Sequence, residues 1–388
     1  MNSPQEIIQT LDRIITEAEF RGYDPYDVLN GPLFLWMAHH SKWSGVILTQ
    51  AFRYFPFNLR PILRIPPTTN AKTMALLARA YLRLHQFSPD AGYLRKAQTC
   101  LTWLDEHRSS GFENACWGYS FPWCTVRQFL ERNVPSTVCS AFVAHAFLDA
   151  YELIGESRYL KVARSVCDFI QTDVARIPGA GGFCFSYSPV AALPVHNANL
   201  LAVSVLGRSY RHTGEKELLE GATPALEYTL RDQNEDGSWY YHGPYAGRDG
   251  TIDNFHTGFV LECLRQFQHD TGKDVQQAVD QGQMFYEQRL FDAGGAPRRK
   301  IGMAYPVDIR DPAEFMAMMG RMERLSADQN SLLAKVFRWT VKEMRNPGGY
   351  FYSLRWRVWR YSPMYLRWQA WMLWAMSNLL THSEDLKI

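Results

Sequence analysis

The stretch SAFVAHAFLDAYELIGESRYLKVARSVCDFI, residues 140–170, decides the fold. It begins as an apolar segment rich in small residues, reaches an aromatic residue at Tyr151, turns at Gly155, and continues as a more charged segment. Glycine directly after an apolar-periodic segment is a typical helix stop, and both halves have helical periodicity. The pattern predicts two antiparallel helices joined by a short turn.

The same pattern recurs along the chain, over residues 72–104, 199–230 and 256–286. Tyr151, Tyr210 and Phe267 occupy equivalent places, 59 and 57 residues apart. Weaker copies cover residues 312–344 and 363–380, and the last lacks a second helix. Six first helices therefore begin near Lys72, Pro135, Pro194, Asp253, Asp311 and Pro363.

The repeat predicts an all-α fold, an (α/α)6 toroid forming a single domain over residues 1–388. We expect the N-terminal helices before Arg53 to supply the missing sixth partner and complete the ring. The more apolar first helices should form an inner ring and the more polar second helices an outer ring. Short extended aromatic segments should separate the hairpins. A helical solenoid is the alternative, but the linkers of about 10–25 residues are too variable for its fixed period.

The amino-acid composition excludes several classes of function. The chain has 41 Lys and Arg against 39 Asp and Glu, so its net charge of +2 provides no general attraction for nucleic acid. Its seven cysteines are scattered without a C-x-x-C pair, which argues against disulfides and a structural zinc site. The N-terminus has no signal-peptide pattern, and no apolar run has the roughly 20 residues of a membrane span. We expect a cytoplasmic protein without cofactor or metal.

Candidate site residues cluster where the linkers enter the first helices, because these ends should meet at one mouth of a ring. We predict four catalytic residues, namely Asp253, His256, Asp308 and Tyr305. Predicted substrate contacts are His196, Asn197, Asn254, Trp117, Tyr119, Trp123, Tyr187, Trp239, Tyr241, Arg310, Arg367 and Trp368. Structural explanations compete with each of them: helix capping would explain Asp253, a core position would explain His256, and the tryptophans suit a helical core.

The segment YSLRWRVWRYSPMYLRW, residues 352–368, interleaves arginines with Tyr and Trp rings. Basic and aromatic residues together can bind single-stranded nucleic acid, but the net charge favours an anionic sugar, whose carboxylate arginine binds through two hydrogen bonds. Solvated loop arginines are the other explanation.

Two resemblances follow from motifs. QNEDGSW, residues 233–239, is similar to the Q-x-x-x-G-x-W repeat of terpenoid cyclase and prenyltransferase toroids, although their D-x-D-D acid motif and zinc ligands have no counterpart here. WGYSFPW, HNANLL, IDNFHTGFVLE, YPVDI and YLRWQAWM, which begin at residues 117, 196, 252, 305 and 365, resemble VpsJ-like proteins of polysaccharide loci. That resemblance implies a six-hairpin toroid acting in exopolysaccharide or surface-glycan production. A His-Ser pair commonly follows YPxDI there, where this chain has Arg310 and Asp311.

Three functions stay open from the sequence. A hydrolase would use two carboxyl groups across the glycosidic bond, with Asp253 and Asp308 as the best pair and Glu314 or Asp311 in reserve. A uronate lyase or epimerase would use His256, His196 or Tyr305 as the base. A non-catalytic toroid that binds a glycan or lipid-linked saccharide, or scaffolds polysaccharide assembly, is the alternative to both, and a terpenoid cyclase is disfavoured by its absent acid motif.

Overall fold

The computed structural model describes residues 3–126, 128–243 and 250–382 of the 388-residue chain. The chain divides into two compact units, one formed by residues 1–110, 117–134 and 305–388, and the other by residues 111–116 and 135–304. We call them the terminal unit and the central unit. The expected single domain over residues 1–388 stays a prediction.

The central unit holds three helix pairs. Each pair packs together, and the first helices α6, α8 and α10 also pack against one another. The turns after these first helices end on Gly155, Gly214 and Gly272, all in the left-handed conformation that glycine adopts without strain. The pairs are α6 (Thr137–Ile154) with α7 (Ser157–Thr172), α8 (His196–Thr213) with α9 (Lys216–Arg231), and α10 (Asn254–Thr271) with α11 (Gln276–Arg289).

The terminal unit also contains three helix pairs among its described residues. They are α4 (Ala71–Phe87) with α5 (Tyr93–Glu106), α12 (Arg310–Gly320) with α13 (Ala327–Met344), and α14 (Leu366–Leu379) with α1 (Pro4–Glu17). Here α14 packs between α4 and α12. The partner of α14 thus comes from the N-terminus, as expected, and it is α1. The remaining N-terminal helices, α2 (Pro32–His40) and α3 (Lys42–Arg53), form a separate hairpin.

Burial separates first from second helices as the sequence predicted. Helices α8 and α14 are buried along almost their whole length, whereas α7 and α13 bury one face. One described helix, Thr137–Ile154, is long and apolar enough to cross a membrane, but it lies mostly buried inside its unit as a core helix.

The Gly-aromatic segments at residues 116–121, 181–189, 236–241 and 348–353 were expected to be extended; the second contains the strand β4, and the other three, all within the described residues, contain no named strand. In the central unit, β3 (Arg176–Gly179), β4 (Gly182–Ser188) and β5 (Ala191–Pro194) make an antiparallel sheet in the order β3-β4-β5. In the terminal unit, β1 (Trp123–Cys124) pairs with β2 (Phe129–Leu130), and β6 (Val307–Asp308) pairs with β7 (Leu354–Arg355). These strands lead into the first helices and so fix where the polar residues at the helix starts lie.

Candidate functional site

The start of α10 carries an Asp–His pair. Asp253 is the N-cap of the helix and its carboxylate accepts a hydrogen bond from the backbone N–H of His256. The same carboxylate lies 2.7 Å from Nδ1 of the His256 ring through Oδ2, and 2.9 Å through Oδ1. One aspartate therefore both caps the helix and orients the imidazole. Capping alone, the competing explanation for Asp253, leaves the contact with the His256 ring unexplained.

The ring of His256 keeps one nitrogen available. Its Nε2 has no hydrogen-bond partner within the described residues, and the side chain is 25% exposed. A histidine whose Nδ1 is held by a carboxylate presents Nε2 in a fixed orientation, the arrangement of a general acid or base.

The charge state of Asp253 follows from its neighbours. Burial alone would raise the pKa of its carboxyl, but the charge and hydrogen bonds of His256, together with the charge of Arg299, lower that pKa below its ordinary value. Asp253 is thus ionised and holds no proton to donate near neutral pH. Arg299 was not among the sequence candidates, since only the tertiary fold brings residues 299–301 beside the start of α10.

Aromatic and amide groups surround this pair in a small recess of about 10 Å³. Room of that size suits about one water molecule. The Tyr241 ring lies over the His256 ring, with 4.4 Å between the ring centres. The buried Asn197 lines the recess, and its Oδ1 has no hydrogen-bond partner in the described part of the chain. The other lining residues are His196, Trp239, Tyr240, Asp253, Thr257 and Val260.

Other predicted residues of the central unit are held within the protein. His196 is buried, with Nε2 2.7 Å from Asp232 and Nδ1 3.2 Å from the Thr229 hydroxyl. Asn254 is completely buried, donates to the Leu290 carbonyl and accepts from the Tyr286 hydroxyl. We assign Asn254 to the packing of α10 on α11 instead of to substrate contact.

Trp239 both lines the recess and is held by contacts within the protein. It lines the recess, yet its indole N–H donates to the carbonyl of Thr229 and its ring packs against Gly282. Tyr187, on β4, is buried. A sugar would therefore meet at most the edge of Trp239 without further movement of the protein.

In the terminal unit, Arg367 is enclosed rather than open to a ligand. Its Nη2 donates to Oδ1 of Asp24 at 2.9 Å, and its Nε lies 2.8 Å from Oδ2 of the same carboxylate without hydrogen-bond geometry. Its guanidinium carbon lies between 4.7 and 6.0 Å from the centres of four rings, those of Trp368, Tyr119, Tyr26 and Phe121. Such cation–π contacts stabilise a buried arginine, so Arg367 is already occupied.

Asp308 and Arg310 also bind each other. Arg310 donates to both carboxylate oxygens of Asp308, at 3.0 and 2.7 Å, and stacks over Trp368 at 4.6 Å. Asp308 is 1% exposed. This two-point pairing keeps both Asp308 oxygens bound to a cation and away from solvent, which does not suit the acid of a hydrolase.

The remaining predicted residues of this unit have mixed surroundings. Trp117 is buried and donates to the Leu104 carbonyl, which makes it a core residue. Trp123 packs edge-on against Tyr119, and both are half-buried. Tyr305 accepts a hydrogen bond from Arg355 at 3.3 Å. The expectation that all these side chains face one mouth with His256 stays a prediction.

The sequence analysis missed a buried ionic cluster that involves Asp24, Asp27 and Arg60. Arg60 binds Asp27 through Nε, donates to the Asp24 carbonyl, and lies 3.2 Å from the Tyr365 hydroxyl. Burial raises the pKa of Asp27 to about 6, although the charge of Arg60 opposes that rise. The available signal was the pair of acids in GYDPYDVLN, a segment whose one glycine and one proline are typical of an ordinary loop.

The sequence matches no protein-family model and no curated protein. Among solved structures, the chain resembles cellobiose 2-epimerase from Bacillus thermoamylovorans with a TM-score of 0.63 and 11% identity, over 79% of this chain and 87% of that one. A GH76 α-mannanase from Bacteroides thetaiotaomicron matches with a TM-score of 0.62 and 12% identity, over 82% and 88%.

A glycosyl hydrolase family 88 protein from Bacteroides vulgatus matches almost end to end, over 99% of this chain and all of that one (100%), with a TM-score of 0.59 and 11% identity. These neighbours are carbohydrate-active enzymes of the (α/α)6 toroid group. At such identities the likeness shows the fold, and the chemistry has to be argued from the residues of this chain.

Proposed function

We propose that this protein is a glycan-processing enzyme that moves a proton at a sugar carbon, with His256 as the acid–base group. The observation that carries the proposal is the His256 ring itself, fixed at Nδ1 by Asp253 and, among the residues that the structure describes, unpartnered at Nε2. Removing a proton beside a carboxylate or carbonyl needs such a base, and it begins both epimerisation and β-elimination. The carbohydrate-active neighbours support a saccharide substrate.

The charge pattern favours proton transfer over hydrolysis. A hydrolase needs one carboxyl group that is protonated near neutral pH. Asp253 has a lowered pKa, and Asp308 is bound by Arg310 at both oxygens. In contrast, Asp253 as a permanent anion stabilises the imidazolium that forms when His256 accepts a proton.

The substrate in this proposal is a saccharide with an anionic or carbonyl group next to the reacting carbon. It would lie over the recess, because the recess itself accommodates only about one water molecule. Tyr241 would supply an apolar face, Asn197 Oδ1 would accept a hydroxyl, and the positive charge of Arg299 would favour an anion.

Several wider expectations belong to the same proposal. They are the closed six-hairpin toroid, membership of the VpsJ-like group, a cytoplasmic role in exopolysaccharide or surface-polysaccharide synthesis, and a lipid-linked saccharide as substrate. The similar folds and the three helix pairs in each unit support the first, and the quoted motifs support the likeness to the VpsJ-like group and the role in polysaccharide synthesis. A non-catalytic glycan-binding or assembly role is the competing proposal.

A substrate screen with two histidine variants tests the activity. Purified protein is incubated with uronate-containing and neutral oligosaccharides, and products are identified by mass and, for configuration, by NMR. We expect an unchanged mass with altered configuration, or cleavage to an unsaturated product, and loss of either in His256→Gln. His269→Gln is the matched control, because His269 lies on the same helix and also contacts an aspartate, Asp270, at 3.0 Å. Cleavage with gain of water that survives in His256→Gln would overturn the proposal.

A further inference from the structure

A large apolar surface of the terminal unit has no role in the proposed chemistry. On α3, the exposed positions Trp43, Ile47 and Ala51 follow one another at intervals of four residues, which places them on one helix face. Trp43 is 65% exposed and Ile47 is 64% exposed. On α2, Leu33 and Trp36 are exposed at 64% and 58%.

Two loops of the same unit also expose apolar side chains. The chain after α3 exposes Phe57 (65%) and Ile62 (78%), and the turn after β7 exposes Val358 (86%) and Trp359 (59%). Ser362 joins the loops, since its hydroxyl donates to the Pro56 carbonyl at 2.9 Å. We call the α2–α3 hairpin, residues 54–64 and residues 356–360 together the apolar patch.

The opposite face of the hairpin is packed in the ordinary way. Ala38 and Cys124 belong to a small buried core with Val28, Leu29 and Ile65, and a side chain on Gly45 would collide with both Ala38 and Cys124. The hairpin is thus fixed to the unit by its inner face. Its outer aromatic residues are not required for that packing.

The charge around the patch has one sign over a long stretch of sequence. Residues 28–89 contain no Asp or Glu. Lys42 and Arg64 are exposed there, and the exposed Arg357 precedes Val358, whereas Arg360 is paired with Glu343 at 2.8 Å. Glu131 lies 3.5 Å from His39, so an acidic side chain is present at the edge.

We propose that the apolar patch binds the surface of a lipid bilayer that contains anionic headgroups. Exposed Trp and Phe beside aliphatic residues suit the boundary between headgroups and acyl chains, and Lys and Arg suit anionic lipids. A protein partner would be matched by the aromatic residues as well, but the exposed cations Lys42, Arg64 and Arg357 beside the apolar side chains favour an anionic surface. The patch lies on the surface of the unit, and α2 and α3, with 9 and 12 residues, are too short to span a bilayer.

Vesicle binding by the full chain tests this inference. We expect cosedimentation with vesicles of phosphatidylcholine plus phosphatidylglycerol, a blue shift of tryptophan emission, and weaker binding to phosphatidylcholine alone or at high salt. Trp43→Ser with Ile47→Ser should reduce the partition coefficient about tenfold or more, because two interfacial apolar side chains are lost. Lys42→Glu should reduce it for anionic vesicles only.

Matched controls lie in the central unit. Val190→Ser with Met284→Ser changes side chains exposed to a similar degree, 62% and 55%, and Arg289→Glu reverses an exposed charge. Both controls should bind vesicles like the wild type, and circular dichroism should show every variant folded. Absence of vesicle binding by the wild type would overturn the inference, as would patch-dependent dimerisation in sedimentation velocity with no lipid effect. Either result would leave the activity of His256 untouched.

Discussion

Asp253 has two tasks at the start of α10, and one substitution separates them. Serine is as good an N-cap as aspartate but cannot hold the His256 imidazole. We therefore expect Asp253→Ser to keep the thermal midpoint close to that of the wild type while kcat falls by about 100-fold or more. Asp253→Ala should lose the same activity and also about 1 kcal/mol of unfolding free energy.

The two Asp253 variants are compared with the wild type by steady-state kinetics and by urea denaturation. A fully active Asp253→Ser variant would reduce the carboxylate to a cap and remove the basis for His256 as the base.

Two asparagines on α8 make a second residue-scale test. Asn197 has an unpartnered Oδ1 at the recess, whereas Asn199 accepts from the Phe185 N–H and donates to the Ala225 carbonyl and the Thr229 hydroxyl. Asn197→Ala should raise KM by about twofold to tenfold with little change in stability, since a neutral hydrogen bond contributes about 0.5–1.5 kcal/mol. Asn199→Ala should instead lower the free energy of unfolding. Equal losses of stability in the two variants would contradict this assignment.

The limits of sequence reasoning show most clearly at single residues. HNANLL predicted a polar cluster at the start of α8, but it could not distinguish the free Asn197 from the fully bonded Asn199. Arg367 was predicted to bind a substrate, yet its carboxylate partner, Asp24, lies 343 residues away in the chain. Partners so distant are set by the tertiary fold, which no local pattern encodes.

At the scale of elements, Asn254 tests how α10 is fixed to its partner helix. Its amide joins the start of α10 to Tyr286 and Leu290 at the end of α11. Asn254→Ala should cost about 1–3 kcal/mol of unfolding free energy, because it leaves buried groups without hydrogen bonds, and KM should change little. A stable variant with a strongly raised KM would restore the sequence-based expectation that Asn254 contacts the sugar.

The buried pair of Asp27 and Arg60 joins the N-terminal segment to Tyr365, at the start of α14. The pKa of Asp27 is raised from 3.8 to about 6 in the folded protein, chiefly by burial. The folded state thus holds this proton more tightly than the unfolded chain does. Its contribution to stability is present below about pH 4 and is lost as pH rises to about 6, with a slope of at most about 1.4 kcal/mol per pH unit.

Denaturation of the wild type and Asp27→Asn at several pH values measures that contribution. The variant should be less stable overall, because Arg60 loses its buried partner, and its stability should fall less between pH 4 and 6. Asp24, whose pKa burial also raises, should keep part of the same trend in the variant. Identical pH slopes would contradict the raised pKa of Asp27.

The helices themselves were well predicted. Expected starts near Lys72, Asp253 and Asp311 correspond to observed starts at Ala71, Asn254 and Arg310. The positions of the helices follow from hydrophobic periodicity and from glycines at helix ends, which are local features of the sequence. The sequence predicted that helices before Arg53 would pair with the last of the first helices, but it did not distinguish among them. Only the tertiary packing identifies α1 as the partner of α14.

For the whole molecule, counting the repeats predicted the type of fold, and the comparisons support that prediction. The reaction, in contrast, depends on the environment of a few side-chain atoms. Proteins of one fold perform different chemistry, and here the neighbours include an epimerase and hydrolases. The choice among them rests on whether a carboxyl group or an imidazole is free to exchange a proton. Among the described residues that line the recess, His256 offers such a group, its Nε2.

Solvent-deuterium uptake measures that proton exchange directly. The wild type and His256→Gln are incubated in D2O with an oligosaccharide that the screen identifies as a substrate, and deuterium at each sugar carbon is measured by mass spectrometry and NMR. For an epimerase, we predict deuterium at one carbon of the product with the wild type and none with the variant. For a lyase, we predict loss of the hydrogen from that carbon and an unsaturated product. A product formed with that carbon–hydrogen bond intact, and equally well by His256→Gln, would contradict proton transfer by His256.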